Sequence, residues 1–292
     1  MSDYIPYYLT LLEIPQIGSE TMRKLIGKFV TPENILIRAK QKDFGDINRL
    51  PKNIFEKIKS ARKRLDFNRF IVKCLDEKGV KIILETDKEY PEVFKLLKSP
   101  PFIIFAWGNL TNDIRRSIAI IGSRTPSKKG SEIAYKIAYE LAKRDFTIVS
   151  GYADGIDISA HLGAIKAKGK TTLILPFGIL NFKLKGGIKS VNDIVKNGAI
   201  ISEVHPKAPW QVGYAHNRNR LIVALSEKVL LVETRLQSGS MNTFNIAQKL
   251  NRKIFTIQYK KYPLSAKGNK SLISKGAIPI SSYKDIDIVT NL

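Results

Sequence analysis

The sequence predicts an α/β fold in which a doubly wound, mostly parallel sheet is preceded by a small all-helical domain. Up to about Phe67 the apolar residues recur at helical spacing, and no convincing strand occurs. From Asn68 onward, short apolar runs alternate with helical stretches, which is typical of strand-helix-strand units. We therefore predict two domains, 1–67 and 68–292, and the chain of 292 residues is long enough for both.

The first domain is predicted to be a helical bundle with basic outer faces. In IPQIGSETMRKLIGKF the apolar side chains share one helical face, and Gly18 and Ser19 can open a helix. The pattern resembles a helix-hairpin-helix, a SAM-like unit whose glycine turn exposes backbone N–H groups to a phosphate. The basic residues near that turn are Arg23, Lys24 and Lys28. A shorter echo, INRLPKNIFEKIKSARKRL, follows; the alternative is a plain bundle whose lysines face water.

The strands of the second domain are predicted from short, mostly apolar runs suited to burial on both faces of a sheet. In chain order the runs are VKIILET, SPPFIIFAWGN, SIAIIG, FTIVSG, KTTLILPFG, GAIISE, KVLLVET and KIFTIQY. Helical patterns separate several of them, as in GSEIAYKIAYELAKRD and DISAHLGAIKAKGK. The polar stretch FKLKGGIKSVNDIVKNG predicts an excursion on the surface. This alternation is typical of a Rossmann-like domain.

Charge is the strongest global signal. The chain carries 49 Lys and Arg against 26 Asp and Glu, a formal net charge of +23. Such an excess favours a polyanionic partner, most simply a nucleic acid, because each neutralised phosphate releases condensed counterions. Solubility or a lysine-rich proteome is the alternative explanation.

Several classes of protein are disfavoured. No apolar run approaches the length of a membrane span, and the N-terminus has no signal-peptide pattern, so we expect a cytoplasmic protein without a membrane partner. The single Cys74 allows no internal disulfide. With only His161, His205 and His216 beside it, a typical zinc site is not expected. We predict no metal and no cofactor.

The candidate site lies in the residues that follow the apolar runs, because ligands of an open parallel sheet bind beyond the carboxyl ends of its strands. After SIAII come Gly122, Ser123 and Arg124, which offer close backbone approach, a hydroxyl donor and a bidentate cation. The dinucleotide pattern G-x-G-x-x-G is absent. We expect Arg124 to contact a phosphate; the alternative is a packing role in an ion pair with Asp154 or Glu203.

Further loops contribute polar groups to the same predicted crevice. They are Ser150 and Gly151 after FTIV, Lys170 before TTLILPFG, Arg218 and Arg220 at a predicted helix start, and Ser238, Gly239 and Ser240 after KVLLVE. Asp157 is expected to cap a helix, and His161 to fix the crevice wall by a hydrogen bond. No G-x-S-x-G elbow and no recurring carboxylate pair occurs. The sequence thus offers binding groups without an obvious reaction.

Several segments together resemble one family. IAIIGSR, IVSGYADGIDISAHLGAIKAKGKT, AIISEVHP, NRNRLIVALSEKVLLVET, SGSMNTFNIAQKLNRKIFTI and KGNKSLISKGAIPI occur in the order found in the DNA-processing protein A family, DprA or Smf. The upstream EYPEVFKLLKSPPFIIFAWGNL is similar to that family's lead-in to the first glycine loop. The resemblance spans nearly the whole chain.

The resemblance implies an extended Rossmann-like domain that forms a homodimer, commonly through its later portion. It implies a cytoplasmic, non-catalytic protein that binds and protects single-stranded DNA and hands it to a strand-exchange recombinase during DNA uptake, as in transformation, or recombination. The G-S-R loop is expected to contact backbone phosphates, and Lys170 matches the family's G-K-T segment. Arg218, Asn219 and Arg220 match its R-N-R stretch.

The chain departs from the family pattern at two places. The family usually has S-G-x-A-R-G-I-D, whereas this chain has SGYADGID, with Asp154 in place of the arginine. A carboxylate there repels phosphates unless a cation such as Arg124 or Arg218 neutralises it. The chain ends at Leu292, so we expect no C-terminal winged-helix module of the kind many members carry.

Several phosphate-binding loops in one groove would follow successive backbone phosphates with little base discrimination. Base-stacking candidates, which can equally be core residues, are Phe177, Phe182, Trp210 and Tyr214. The main alternative is an enzyme that cleaves nucleoside monophosphates, similar to lysine-decarboxylase-like phosphoribohydrolases. Their pattern P-G-G-x-G-T-x-x-E supplies a glutamate that SGSMNTFNIA lacks. A nucleotide-sensing domain is a third interpretation.

Overall fold

A computed structural model describes residues 2–291 and shows a nine-stranded sheet with helices on both faces. The strands are β1 (Val80–Leu84), β2 (Ile103–Gly108), β3 (Ser117–Ile121), β4 (Thr147–Ser150), β5 (Thr171–Ile174), β6 (Ala199–Ser202), β7 (Lys228–Leu231), β8 (Lys253–Ile257) and β9 (Ile278–Ile280). Their spatial order is β1-β2-β6-β5-β4-β3-β7-β8-β9. Pairing is parallel from β6 to β9, while β1 with β2 and β2 with β6 are antiparallel. The predicted fold class is confirmed.

The helices precede, connect and flank these strands. They are α1 (Ile5–Leu12), α2 (Ser19–Phe29), α3 (Ile54–Ala61), α4 (Leu65–Glu77), α5 (Lys128–Lys143), α6 (Ile156–Lys166), α7 (Asn192–Val195), α8 (Val212–Ala224), α9 (Gly239–Lys249), α10 (Asn269–Ser274) and α11 (Ile286–Asn291). Within residues 2–291, no helix combines the length and the apolar character that crossing a bilayer requires.

The central strands are buried on both faces, as their unbroken apolar runs predict. In β3, Ile118 and Ile120 face a core that includes side chains of α5 and α6. Ala119 and Ile121 face a second core that includes side chains of α8 and α9. Successive side chains of a strand point to opposite faces, so one short run anchors both layers of helices. The loops after the parallel strands therefore leave from a rigid edge.

The N-terminal helices share a core with the sheet. Ile17 of the turn before α2 and Ile71 of α4 pack in one cluster with Phe105 of β2 and Ile200 of β6. The boundary predicted between residues 67 and 68 lies inside α4 and not in a linker. Because the helices cover the sheet face near β1 and β2, the two regions are joined by burial of apolar area.

A buried polar cluster also joins the N-terminal helices to the loop after β6. The amide of Asn68 donates to the Thr10 hydroxyl at 3.1 Å and to Glu13 at 3.2 Å. Nε2 of His205 lies 2.9 Å from Oδ1 of Asn68. Burial lowers the pKa of His205 to about 4, so its ring is neutral near pH 7. Buried polar groups that satisfy one another fix the geometry of this joint.

The predicted hairpin turn is present, but its cations are engaged with protein groups. α2 begins at Ser19 with Gly18 as its N-cap, as predicted. The ion pairs are Arg23 with Glu85, Lys24 with Glu20 and Lys28 with Asp46. The Ser19 hydroxyl accepts a hydrogen bond from the Phe102 N–H at 3.0 Å. The turn thus docks beside the sheet through Arg23 and Ser19, while Lys24 and Lys28 pair within the N-terminal region.

Two glycines in helices give a test of the packing. A Cβ on Gly163 in α6 would lie 2.2 Å from the carbonyl oxygen of Tyr135 in α5, whereas Gly27 in α2 has nothing within 4 Å. We expect Gly163→Ala to lower the free energy of unfolding by about 1–3 kcal/mol, because the two helices must separate. Gly27→Ala should raise it by up to about 1 kcal/mol through helix propensity. Urea unfolding followed by circular dichroism measures both; an unchanged midpoint for Gly163→Ala would contradict the close approach of α5 and α6.

Candidate functional site

A crevice lies beyond the carboxyl ends of β3, β4 and β7, where the sequence predicts a site. Eight of the predicted contact residues line it: Gly122, Ser123, Arg124, Arg218, Asn219, Ser238, Gly239 and Ser240. The loop after β3, the start of α9 and the middle of α8 supply them. The topology therefore brings together residues up to 118 positions apart in the chain, from Gly122 to Ser240.

The loop after β3 is fixed by its own backbone. The Ser123 N–H donates to the Glu233 carbonyl at 2.8 Å, and the Ser123 carbonyl accepts from the Ile156 N–H at 3.2 Å. A Cβ on Gly122 would lie 2.7 Å from Ile156, so glycine is required there by close packing. These contacts hold the loop in one conformation and direct the next residue, Arg124, to the surface.

Arg124 is exposed, and no carboxylate pairs with it among the described residues. The alternative that it pairs with Asp154 or Glu203 is wrong. Asp154 pairs with Lys185, and Glu203 pairs with Arg220. The Arg124 guanidinium instead lies 5.9 Å from the centre of the Trp210 ring. It is thus available to an anion that enters the crevice.

The four aromatic candidates separate in the structure. Trp210 lines the crevice and is 48% exposed. Phe182 packs against Tyr152, with ring centres 5.0 Å apart and the ring planes tilted by 42°. Tyr214 lines a different cleft, between α8 and the turn before α2, and Phe177 is half-buried outside the crevice lining. Only Trp210 of these four therefore has its ring beside the candidate phosphate loop.

The N-terminus of α5 is occupied by a carboxylate of the protein itself. Glu233, buried at the end of β7, accepts hydrogen bonds from the Ser127 N–H at 2.8 Å, the Ser127 hydroxyl at 2.5 Å and the Tyr259 hydroxyl at 3.0 Å. In dinucleotide-binding folds the first helix N-terminus after such a loop holds a phosphate. Here that position is filled, which agrees with the absence of the G-x-G-x-x-G pattern. Sequence reasoning missed Glu233, although its signal was a carboxylate ending an otherwise apolar run.

Two buried side chains of opposite charge, Arg218 and Asp157, form the floor of the crevice. Arg218 donates through Nη1 to the Ile174 carbonyl, while its Nε has no hydrogen-bond partner in the described chain. Burial lowers the pKa of Arg218 to about 10 and raises the pKa of Asp157, and each charge partly offsets this effect on the other. α6 starts at Ile156 with Gly155 as its N-cap, so the predicted capping role of Asp157 is wrong.

Four predicted contact residues lie outside the crevice lining. Ser150 is buried and donates to the Ile120 carbonyl at 2.6 Å. Gly151 stands behind the floor, where a Cβ would lie 2.1 Å from Nη1 of Arg218. Arg220 bonds to Glu203. Lys170 pairs with Asp145 at 2.7 Å at the opposite edge of the sheet.

Two local causes explain these differences. Lys170 precedes β5, so it stands at the amino end of a parallel strand, whereas the crevice lies at the carboxyl ends. α8 begins at Val212, so Arg218 and Arg220 lie in the helix interior and not at its start. Residues two positions apart on a helix face different directions, so only Arg218 reaches the crevice.

His161 fixes the crevice wall, as predicted. Its Nε2 lies 2.7 Å from the Gly151 carbonyl, and its Nδ1 lies 2.7 Å from the Thr171 hydroxyl. A carbonyl only accepts, so Nε2 carries the proton. Burial lowers the pKa of His161 to about 4, and the ring is therefore neutral near pH 7. Among residues 2–291, no group of histidine, cysteine and carboxylate side chains could hold a metal ion.

Asp154 is neutralised from the surface excursion that follows β5. Lys185 donates to its carboxylate at 2.9 Å. Tyr152 fastens the same segment, because its hydroxyl donates to the Lys183 carbonyl at 3.0 Å and accepts from the Lys185 N–H at 2.8 Å. The sequence named Arg124 and Arg218 as neutralising cations, and both are wrong. The charge near the rim comes instead from Lys185.

Comparison with known proteins agrees with this geometry. The family model for DNA recombination-mediator protein A matches residues 81–290. The chain belongs to this family. The DNA processing protein DprA of Bacillus subtilis is 30% identical over 238 residues, which cover 79% of this chain and 80% of that protein. Membership places the chain among DNA-processing recombination mediators.

Two solved structures of the family extend the match. The X-ray structure of DprA from Streptococcus pneumoniae covers 96% of both chains with a TM-score of 0.74 at 24% identity, which shows a common fold. A structure of DprA from Helicobacter pylori, described for its single-stranded DNA binding mode, is 30% identical. It covers 73% of this chain and 96% of that one, with a TM-score of 0.61.

The buried neutral His161 predicts a pH effect on stability. Its pKa is about 4 in the folded chain and ordinarily 6.5, so between these values the unfolded chain binds a proton that the folded chain does not. Stability should therefore fall as the pH falls from 6.5 towards 4, by on the order of 1 kcal/mol per pH unit from this group. Urea unfolding of the wild type and of His161→Gln at several pH values measures the difference. Equal pH slopes for the two proteins would contradict the assignment.

Proposed function

We propose that this protein binds the backbone of single-stranded DNA in the crevice beside the Gly122–Arg124 loop, protects the strand and delivers it to a strand-exchange recombinase. The observation that carries the proposal is that Arg124, exposed and without a carboxylate partner in the described chain, lies beside the exposed ring of Trp210 in one crevice. The cation can bind a backbone phosphate, and a base can stack on the ring.

The apolar rim of the crevice favours single strands over a duplex. Trp210 and Val212 line the crevice and are 48% and 57% exposed. Leu236, which is 61% exposed, lies between two lining residues, Arg235 and Gln237. Apolar side chains that are exposed together mark an interaction surface. In single strands the faces of the bases are free to cover them, whereas a duplex stacks its bases internally.

The carboxylates of the crevice do not form a catalytic pair. Glu233 accepts hydrogen bonds from Ser127 and Tyr259, and Asp157 accepts one from the Ala153 N–H at 3.3 Å. General acid-base chemistry needs a carboxylate within reach of a bound substrate. Groups committed to the fold in this way support binding over cleavage of nucleoside monophosphates.

The delivery step and the assembly state belong to the same proposal. Membership in a family of recombination mediators supports transfer of the strand to a recombinase, and the resemblance supports a homodimer acting in DNA uptake or recombination. The net charge of +23 supports a long polyanion as the partner. Two crevices in a homodimer would bind neighbouring segments of one strand.

The first test removes the exposed cation. We expect Arg124→Ala to weaken binding of a labelled oligothymidylate about tenfold and to reduce the salt slope by about one contact, because one phosphate loses its partner. Fluorescence anisotropy at several salt concentrations measures both. Arg69→Ala removes an exposed arginine of α4 that pairs with Asp66, and serves as the matched control.

Duplex competitor distinguishes the strand preference in the same titration. Equal affinity of Arg124→Ala and Arg69→Ala for the oligothymidylate would argue against the crevice as the binding site. Binding of duplex DNA in preference to single strands would argue against it as well. If the wild type ignores oligonucleotides at low salt, hydrolysis of a nucleoside monophosphate is the activity to assay next.

The Asp154–Lys185 pair gives a second test. Removing the carboxylate with Asp154→Ala frees Lys185 and removes a charge that repels phosphate, so we expect binding to become about two- to fivefold tighter. Lys185→Ala should weaken binding, because Asp154 then stands uncompensated. The double variant should lie between the two single variants. Unchanged affinity in all three would show that the strand does not pass this part of the rim.

A further inference from the structure

The amino-terminal edge of the sheet, opposite the crevice, carries a row of basic residues. Six neighbouring strands, β6, β5, β4, β3, β7 and β8, each begin at a basic residue or within three positions of one. In spatial order the residues are Lys196, Lys168 with Lys170, Arg144, Arg115 with Arg116, Lys228, and Arg252 with Lys253. Strands lie about 4.8 Å apart, so this row extends over about 24 Å.

The row borders a groove and not a convex surface. One cleft is lined by Arg116, Lys170 and Lys196 together with Asn109 and Asn197. An adjoining cleft is lined by Arg116, Arg144 and Lys228. Arg116 lines both clefts, so the two adjoin each other along the edge.

Four carboxylates pair with cations of this row in the described residues. Lys170 pairs with Asp145 and Arg144 with Asp287, which are 64% and 71% exposed, and Arg115 pairs with Asp113, which is 52% exposed. The buried Lys228 pairs with Glu227, which is 39% exposed. Exposed ion pairs contribute little in water, so a polyanion can replace these partners. Lys196 has no ion pair in the part of the chain that the structure describes. At the crevice edge the carboxylates that follow the strands, Asp157, Glu203 and Glu233, are instead mostly buried.

Helix capping explains only part of the row. The helices end at this edge, and their C-termini favour cations. Arg116 donates to the Arg144 carbonyl at 3.3 Å, and Arg252 donates to the Ala224 carbonyl at 3.2 Å. Lys170 and Lys196 donate to no helix carbonyl in residues 2–291. Their charges exceed what the helix ends require.

We propose that this groove is a second nucleic-acid site, which binds the sugar-phosphate backbone of a further strand segment while the crevice holds the first. A linear row of cations in a groove fits a linear polyanion. A membrane surface would need exposed apolar side chains around the cations. None of the large exposed apolar side chains between residues 2 and 291 lines either cleft. The chain then holds two strand segments at opposite edges of one sheet.

The test counts oligonucleotides per chain. An oligothymidylate of about eight nucleotides, within the usual size of a single-strand site, is titrated and followed by native mass spectrometry. The edge variant is Lys170→Ala with Lys196→Ala, and the crevice variant is Arg124→Ala with Trp210→Ala. Lys59→Ala with Lys63→Ala removes two exposed lysines elsewhere as a matched control. Counting per chain makes the result independent of dimer formation.

We expect two oligonucleotides per chain for the wild type and the control, and one for the edge variant and the crevice variant. Lys170→Arg with Lys196→Arg should retain two, which separates loss of charge from loss of fold. One oligonucleotide per wild-type chain, or two on the edge variant, would overturn the proposal. If the crevice variant binds as the wild type does while the edge variant loses one, the crevice function fails and the edge site stands.

Discussion

The buried carboxylate of Glu233 is the contact on which the candidate site depends. Through its side chain it holds the start of α5 by Ser127 and binds Tyr259, two residues beyond β8, and through its backbone carbonyl it holds Ser123. One residue at the end of β7 thus sets the helix, the neighbouring strand and the loop in a single arrangement. The carboxylate of Glu233 already occupies the N-terminus of α5. The group that the loop after β3 offers to a ligand is therefore the exposed side chain of Arg124.

The cations of the protein fall into two groups with different roles. Arg218 and Arg220 are mostly buried and bonded to the Ile174 carbonyl and to Glu203, so both serve the fold; Arg218 lines the crevice and Arg220 lies outside it. Arg124 is exposed and free of carboxylates among the described ion pairs. Removing a cation of the first group leaves a buried group without its partner and lowers the stability of the fold. In a binding assay this loss of stability looks the same as the loss of a contact with DNA. The net charge of a protein is therefore a poor measure of its attraction to a polyanion unless the burial of each cationic side chain is considered.

Most of the sheet could be predicted from the sequence, because strands buried on both faces are written as short apolar runs. β9 was not predicted, since three residues including Pro279 give no periodicity. The start of α8 at Val212 was missed because polar residues such as Asn217 obscure the helical pattern. Lys170 was placed at the wrong edge, as adjacency to a strand does not tell which end of it faces a ligand. Glu233 could not be assigned, because its partners at Ser127 and Tyr259 are distant in sequence.

The position of α4 has a consequence for how the chain can be divided. This helix continues across residues 67 and 68, and its Ile71 and Leu75 lie in the core shared by the N-terminal helices and the β1–β2 end of the sheet. A fragment that began at Asn68 would lose α1 and α2 from that core and expose Phe102 and Phe105 to solvent. Such a fragment would expose an apolar sheet face next to the antiparallel strands β1 and β2. Association of fragments through this face would compete with folding. The N-terminal helices therefore cover apolar side chains of the sheet that would otherwise meet solvent.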